Sequence, residues 1–378
     1  MSTAGTAPRR PATPGTATPG TPGTAGTPGT GPVRIGALGT SSIAARRVLP
    51  TAVATPEVDL VAVAGRSARK TAGFAERFGC AAETDFTALL ARPDIEAVYI
   101  STPTALHHVW ARRALLAGKH VLVEKPIGVN AHEARELADL AEARGLVLRE
   151  NFMFLHHPQH TYAADLFRQG RLGRVTTLQA AFCIPPLPAD DIRYTPGMGG
   201  GALLDVGVYP LRAAQLLLGT GLRVLSAVLR VREEDGLDLS GQALLASPDG
   251  VLAEATFGFE HAYASTYTLW GDRARLTVPR AFTPPPAFQP VLVLEEQDHE
   301  ERFTLPAADQ LRGCLTSFAA AVRRGDAGSG AAEAAARESA VAGMELVDAV
   351  QKEAVRVPVS QDAGREERNR PAVTVPSN

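Results

Sequence analysis

Val33-Arg34-Ile35-Gly36-Ala37-Leu38-Gly39-Thr40-Ser41-Ser42-Ile43-Ala44 is the stretch that decides the fold of this chain. A short apolar run enters a glycine turn and a helical pattern follows, which is how a βαβ unit opens. The turn fits a dinucleotide fingerprint at its first and third key positions, Gly39 and Ala44. At the second, where a glycine lets the backbone approach a pyrophosphate, stands Ser41. Its hydroxyl can itself donate to phosphate, so Gly39, Ser41, Ser42 and Ile43 are candidate cofactor contacts. Taken alone, the motif suits an ordinary strand-to-helix turn equally well.

The same grammar continues outward to residue 150. Apolar runs at 33–38, 58–64, 96–101, 120–124 and 146–149 predict strands, and helices between them carry their own punctuation. Ser67 caps one that stops at Gly79, Gly118 closes one that begins near His107, and Asn130 with Glu133 opens one that ends at Gly145. This is a parallel sheet wrapped by helices. Past residue 160 the runs at 174–182, 222–232, 251–259, 264–270 and 291–295 alternate in character, with turns such as Ser247-Pro248-Asp249-Gly250 between them. Helical stretches fall at 203–218, 309–324 and 331–350. The expected class is α/β: a Rossmann parallel-sheet domain at 33–150, then an α+β domain at 151–356 built on a large, mostly antiparallel open sheet. Residues 1–32, almost wholly Ala, Thr, Pro and Gly, bury too little apolar area to offset chain entropy and are expected to be disordered. Residues 357–378 are read as a polar tail on the same ground.

Composition narrows the function. The 378 residues are 45% hydrophobic, enough for a proper core, and 38 basic residues against 40 acidic leave a formal charge of -2. Such a balance gives no field for a polyanion, so nucleic acid is not an expected partner. Three scattered cysteines, Cys80, Cys183 and Cys314, suit neither a disulfide framework nor a metal site. No apolar run is long enough to span a membrane, and no export signal is visible, so a cytoplasmic protein is expected. Only Lys70, Lys119, Lys125 and Lys352 are lysines, which makes each one informative.

Two strand ends carry chemistry. The second strand closes at Ala64-Gly65-Arg66-Ser67, where an NAD enzyme usually places a carboxylate for the ribose diol. Arg66, Ser67 and Lys70 offer positive charge and donors instead, which suit a 2′-phosphate and predict NADP(H). A solvated helix start is the competing reading. The run Val121-Leu122-Val123-Glu124-Lys125-Pro126 delivers a charged pair to a carboxyl end of the sheet, the edge that lines the ligand crevice. There, Glu124 and Lys125 either face the cofactor or pair with each other.

The chain from Val33 to about Val350 resembles the Gfo/Idh/MocA oxidoreductases, on the Gly39 turn, on Ser101-Thr102-Pro103 with His107-His108, and on Glu124-Lys125-Pro126. The runs Asn151 to Gln159 and Gly199 to Pro210 are similar to the sugar-nucleotide 3-ketoreductases of deoxysugar biosynthesis within that family. The resemblance implies a cofactor crevice that takes in Ser101, Thr102 and His107, with packing as the alternative for His107. It also implies a cis Lys125-Pro126 bond, and an open sheet that makes a dimer or tetramer. It puts Lys125 in the active site. Where inositol-type members have an aspartate and, four residues on, a histidine, this sequence has Asp205 and Tyr209, a departure that favours the ketoreductase branch with the tyrosine as proton donor.

Elementary chemistry agrees. Reducing a ketone needs a hydride and a proton for the developing alkoxide. A phenol with a pKa near ~10 is protonated at neutral pH and can supply the latter. Tyr209 is therefore the expected general acid and Lys125 its electrostatic partner. Asp205 could orient substrate hydroxyls or cap its helix. His157 and Arg193 are further substrate candidates, Arg193 because arginine grips phosphate. No metal is called for. The expected reaction is NADPH-dependent reduction at C3 of a dTDP-linked 3,4-diketo-2,6-dideoxyhexose. Rival readings are a dehydrogenase of free sugars or polyols and a non-catalytic NADP-binding regulator.

Overall fold

The computed structural model describes residues 31–324, 328 and 330–360. Residues 1–30 and 361–378, which make up most of the two expected tails, lie outside them. The first sheet comprises β1 (Val33–Leu38), β2 (Val58–Ala64), β3 (Ala81–Glu83), β4 (Ala97–Ile100), β5 (His120–Val123) and β6 (Leu148–Glu150). All are parallel, in the order β3-β2-β1-β4-β5-β6 that places a crevice at the carboxyl ends of β1 and β4. The crossovers carry α1 (Leu49–Val53), α2 (Ala68–Phe78), α3 (Phe86–Ala91), α4 (His107–Leu116) and α5 (Ala131–Arg144). A π-helical turn, Ala44–Val48, leads into α1.

Local chemistry fixes the helix ends. Ser67 Oγ accepts from Lys70 N and Asn130 Oδ1 from Glu133 N, while Gly79 and Gly145 close their helices in the left-handed conformation. The predicted box at α5 is shifted by one residue, because the Glu133 carboxylate accepts from Val129 N.

The second sheet is preceded by α6 (Pro158–Arg168) and contains β7 (Val175–Cys183). A loop and the π turn Leu203–Gly207 lead to α7 (Val208–Leu218). Then come β8 (Arg223–Arg232), β9 (Asp238–Ala246), β10 (Leu252–Gly258), β11 (Ala264–Gly271), β12 (Arg275–Val278), β13 (Val291–Glu295) and β14 (Glu300–Thr304). The chain ends with α8 (Gln310–Arg323), α9 (Ala331–Glu353) and β15 (Ala354–Val359). The nine strands run β14-β13-β12-β11-β7-β10-β9-β8-β15, antiparallel except for the pairs β7/β10 and β8/β15. Alternate residues of β8 (Ala227, Leu229, Val231) are buried under the helices, and the opposite face is open.

Two expectations need correction. Val357, Pro358 and Val359, expected in the polar tail, pair with β8 as the last strand; a proline is tolerated there because β15 is an edge. And α8, expected to serve the second domain, turns back to cover the first sheet. Its Leu311, Cys314, Leu315 and Phe318 share a buried cluster with Val33, Ile35 and Tyr99. Among the described residues no helix is long and apolar enough to cross a membrane.

Candidate active site

Gly39 opens the crevice. Its φ is +110°, and a Cβ there would lie 3.0 Å from the Ser101 backbone, so a glycine is needed for the β1 turn to lie against the end of β4. Ser41 Oγ accepts from Ala44 N and so caps the turn, with its own proton left to donate. Ser42 is exposed and Ile43 half-buried beside it. At the end of β2, Arg66, Ser67 and Lys70 are all exposed, and Ser67 is spent as the cap of α2. Ser101 Oγ leans on the Gly39 carbonyl at 3.4 Å. The neighbouring Thr102 Oγ1 is buried without a partner. A crevice with a Cβ-free turn, an orphaned hydroxyl and an uncompensated guanidinium at the end of β2 fits a phosphorylated dinucleotide.

Two expected cofactor residues are engaged elsewhere. His107 is buried, its Nδ1 2.7 Å from the Pro126 carbonyl and its Nε2 2.8 Å from that of Thr102. It clasps the loops after β4 and β5 together, which is the packing role that stood as the alternative to a cofactor contact. Glu124 is buried too, and its Oε1 accepts from Tyr99 Oη and Asn151 Nδ2, both at 2.7 Å. Burial pushes its carboxyl pKa up in spite of those bonds.

Lys125 does not pair with Glu124. Its Nζ donates to Asp205 Oδ1 at 2.8 Å and to the Asp205 carbonyl at 2.6 Å, and lies 5.2 Å from the centre of the Tyr209 ring. Thus residues from the two sheets' domains converge, as the sequence reading of Lys125 and Tyr209 required. The Lys125-Pro126 bond is cis. Asp205 and Tyr209 straddle the end of the π turn, a local widening that recurs at functional sites. Asp205 neither caps a helix nor stands ready for a substrate hydroxyl, because its Oδ2 accepts from Arg193 Nε at 2.6 Å. Arg193 in turn reaches Asp191.

The charges follow from this packing. Burial opposes an ammonium at Lys125, but the Asp205 carboxylate together with Tyr209 outweighs it and raises the pKa. Burial likewise opposes the Asp205 anion, and Lys125 with Arg193 outweighs that and lowers its pKa. The phenol of Tyr209 is pushed up to about 12, chiefly by burial, with Lys125 pulling the other way. It is therefore a neutral acid beside a fixed cation.

What the sequence reading missed is the wall around this phenol. Phe152, Phe182 and Phe282 stand with ring centres 5.4, 4.8 and 5.6 Å from that of Tyr209. Phe152 belongs to the run Asn151 to Gln159, whereas nothing local marks Phe182 on β7 or Phe282 beyond β12. His157 does not join the cluster; it is buried as the cap of α6, its Nδ1 accepting from Gln159 N.

Comparison with known proteins agrees with this geometry. Residues 33–152 match the Gfo/Idh/MocA family model described as an oxidoreductase family with an NAD-binding Rossmann fold, and residues 160–277 match the family's C-terminal domain. A dTDP-3,4-didehydro-2,6-dideoxy-alpha-D-glucose 3-reductase from Streptomyces violaceoruber is 50% identical, over 85% of this chain and 95% of its own. A D-xylose 1-dehydrogenase (NADP(+)) from Haloferax volcanii is 33% identical over 84% of this chain and 96% of its own. Among solved structures, KijD10, a 3-ketoreductase from Actinomadura kijaniata in complex with NADP and TDP-benzene, superposes with a TM-score of 0.83. It has 45% identity and covers 87% of this chain and 99% of its own. KijD10 has also been solved with a tyrosine changed to phenylalanine and with a lysine changed to alanine or glutamate.

Proposed function

The chain belongs to the Gfo/Idh/MocA oxidoreductases, and from that premise we propose that it is an NADPH-dependent 3-ketoreductase of dTDP-linked 3,4-diketo-2,6-dideoxyhexoses. Its place is in deoxysugar biosynthesis, where the product serves glycosylation of a secondary metabolite. The observation that carries the reading is the Lys125 ammonium held over the Tyr209 ring by Asp205. In KijD10 the altered lysine and tyrosine are separated by the same length of chain as Lys125 and Tyr209, which supports giving the pair the same work.

NADPH, when bound, supplies the hydride. Arg66 and the Gly39 turn would hold its phosphates, the uncompensated guanidinium of Arg66 suiting the 2′-phosphate. Tyr209 gives its Oη proton to the C3 oxygen as negative charge develops there, and Lys125 stabilises the phenolate left behind. The phenylalanine wall excludes water from the phenol, so the proton goes to substrate rather than to solvent. Exposed Val228, Leu252 and Trp270 on the open face of the second sheet support a homo-oligomer, a dimer or tetramer, built on that face.

The experiment is to follow NADPH oxidation with the dTDP-linked diketo sugar. Tyr209→Phe should lose about 10²- to 10⁴-fold in turnover with NADPH affinity intact. Full activity in that variant, or turnover of free aldoses with none of nucleotide-linked sugars, overturns the reading.

A further inference from the structure

Arg193 lies on the 3-10 turn Ile192–Tyr194, in the loop between β7 and the π turn that carries Asp205. Three contacts fix that loop, two of them within its own domain. The Arg193 carbonyl accepts from Gly201 N at 2.9 Å, and the Tyr194 carbonyl accepts from Arg232 Nη2 at 2.9 Å. On the other side Gly199 beds against the first domain, where a Cβ would come within 2.8 Å of Thr104 Cβ. The loop therefore reaches from the second sheet to Thr104 of the first domain and carries Arg193 with it.

The guanidinium is held unevenly. Nε donates to Asp205 at 2.6 Å, but Nη1 reaches the two oxygens of Asp191 only at 3.2 and 3.4 Å. Charge-assisted bonds of this kind are normally shorter, about 2.7 to 2.9 Å, so the Asp191 side is the one that yields. The side chain is also 41% exposed, and Nη1 can reach a ligand without breaking the bond to Asp205. Lys125 sits on the opposite oxygen of the same carboxylate. Two cations are thus fixed one carboxylate apart, one beside the proton donor and one toward solvent. A nucleotide sugar offers a matching pair of groups: a carbonyl at C3 and, two carbons along the ring on C1, a diphosphate.

We propose that Arg193 is the anchor for the substrate's diphosphate. Phosphate oxygens replace Asp191 on Nη1 while Nε stays on Asp205, so that this carboxylate sets the spacing between the held diphosphate and the ammonium at the reacting carbonyl. The proposal rests on the ketoreductase reading above and adds a binding residue to it.

The test titrates dTDP and thymidine calorimetrically into the NADP-loaded enzyme. Arg193→Gln should weaken dTDP about 10- to 100-fold, the worth of a lost hydrogen bond to a charged group. Thymidine and NADP should bind as before, and KM for the nucleotide sugar should rise in parallel with the dTDP loss. Arg193→Lys, which keeps the charge, should recover part of the affinity for dTDP. Unchanged dTDP affinity in Arg193→Gln, or equal losses for dTDP and thymidine, which would mark a merely structural loop residue, overturns the anchor. A wild-type enzyme that binds dTDP through Arg193 yet never reduces the diketo sugar defeats the ketoreductase reading and leaves the anchor standing.

Discussion

Asp205 governs two cations at once, and its removal separates their effects. Lys125 is buried, which by itself lowers an ammonium pKa, and the net rise comes chiefly from Asp205, with Tyr209 adding to it. In Asp205→Asn burial wins, so the pKa of Lys125 falls and the amine loses its proton as pH rises through a lower value. The expected outcome is a pH profile of kcat/KM whose alkaline limb moves toward neutrality, while the wild type keeps its charge across that range. A profile that keeps the wild-type limb at reduced height would show that Asp205 does no more than position its neighbours. At this scale the sequence was legible where chemistry sits in a local pattern. Lys125 follows an apolar strand and Tyr209 follows Asp205 by one helical turn. It was illegible where a side chain's direction decides its role. His107 and Glu124 sit at the crevice in sequence, yet one ring spans two backbone carbonyls and one carboxyl is buried on Tyr99. The tie from Arg193 to Asp205 crosses a glycine-rich loop whose path no spacing dictates.

Helix α5 is held at its start by Asn130 Oδ1, which accepts from Glu133 N at 2.9 Å. Asn130→Ala leaves that amide without its side-chain partner and should cost about 1 kcal/mol, read as a lower urea midpoint with an unchanged slope. A fall in the slope as well would mean that the denatured ensemble had changed, not the cap. This helix was legible because cap, box and terminal glycine bracket 14 residues of regular pattern. The elements that escaped lack one of those marks. Three-residue β3 is too short to show a period, and β9 is broken by Ser240-Gly241-Gln242 in its middle. The glycine is there for packing: a Cβ on Gly241 would lie 2.6 Å from Leu229 Cδ2 and 2.8 Å from Phe257 Cζ. Close packing between neighbouring strands thus erased the alternation by which a strand is recognised. The strand β15 hid behind Pro358 for the reason that an edge can spare a donor.

Across the whole molecule, the first sheet is not completed by the residues that build it. After the nine-stranded sheet the chain returns through α8, and Arg323 at the end of that helix grips Glu96 with Nη1 to Oε1 at 2.8 Å and Nη2 to Oε2 at 3.0 Å. Glu96 immediately precedes β4, so this bidentate pair fastens the returning helix to the strand that borders the cofactor crevice. Burial opposes the Glu96 anion, but Arg323, with Arg34 beside it, takes the pKa down from 4.5 to about 2. A carboxyl depressed on folding stabilises the native state above its unfolded pKa, and that contribution is lost as pH falls through the folded value. Because Glu96 is partly exposed, solvent screens the pair, which should therefore contribute on the order of 1 kcal/mol at neutral pH and progressively less between about pH 4.5 and 2. In a series of thermal melts, Glu96→Gln should melt below the wild type at pH 7, with a gap that is constant down to about pH 5 and narrows below it. A gap that stays the same at pH 3 would mean that Glu96 acts through shape alone and that the apolar face of α8, through Leu311, Leu315 and Phe318, is what holds the two halves of the chain together.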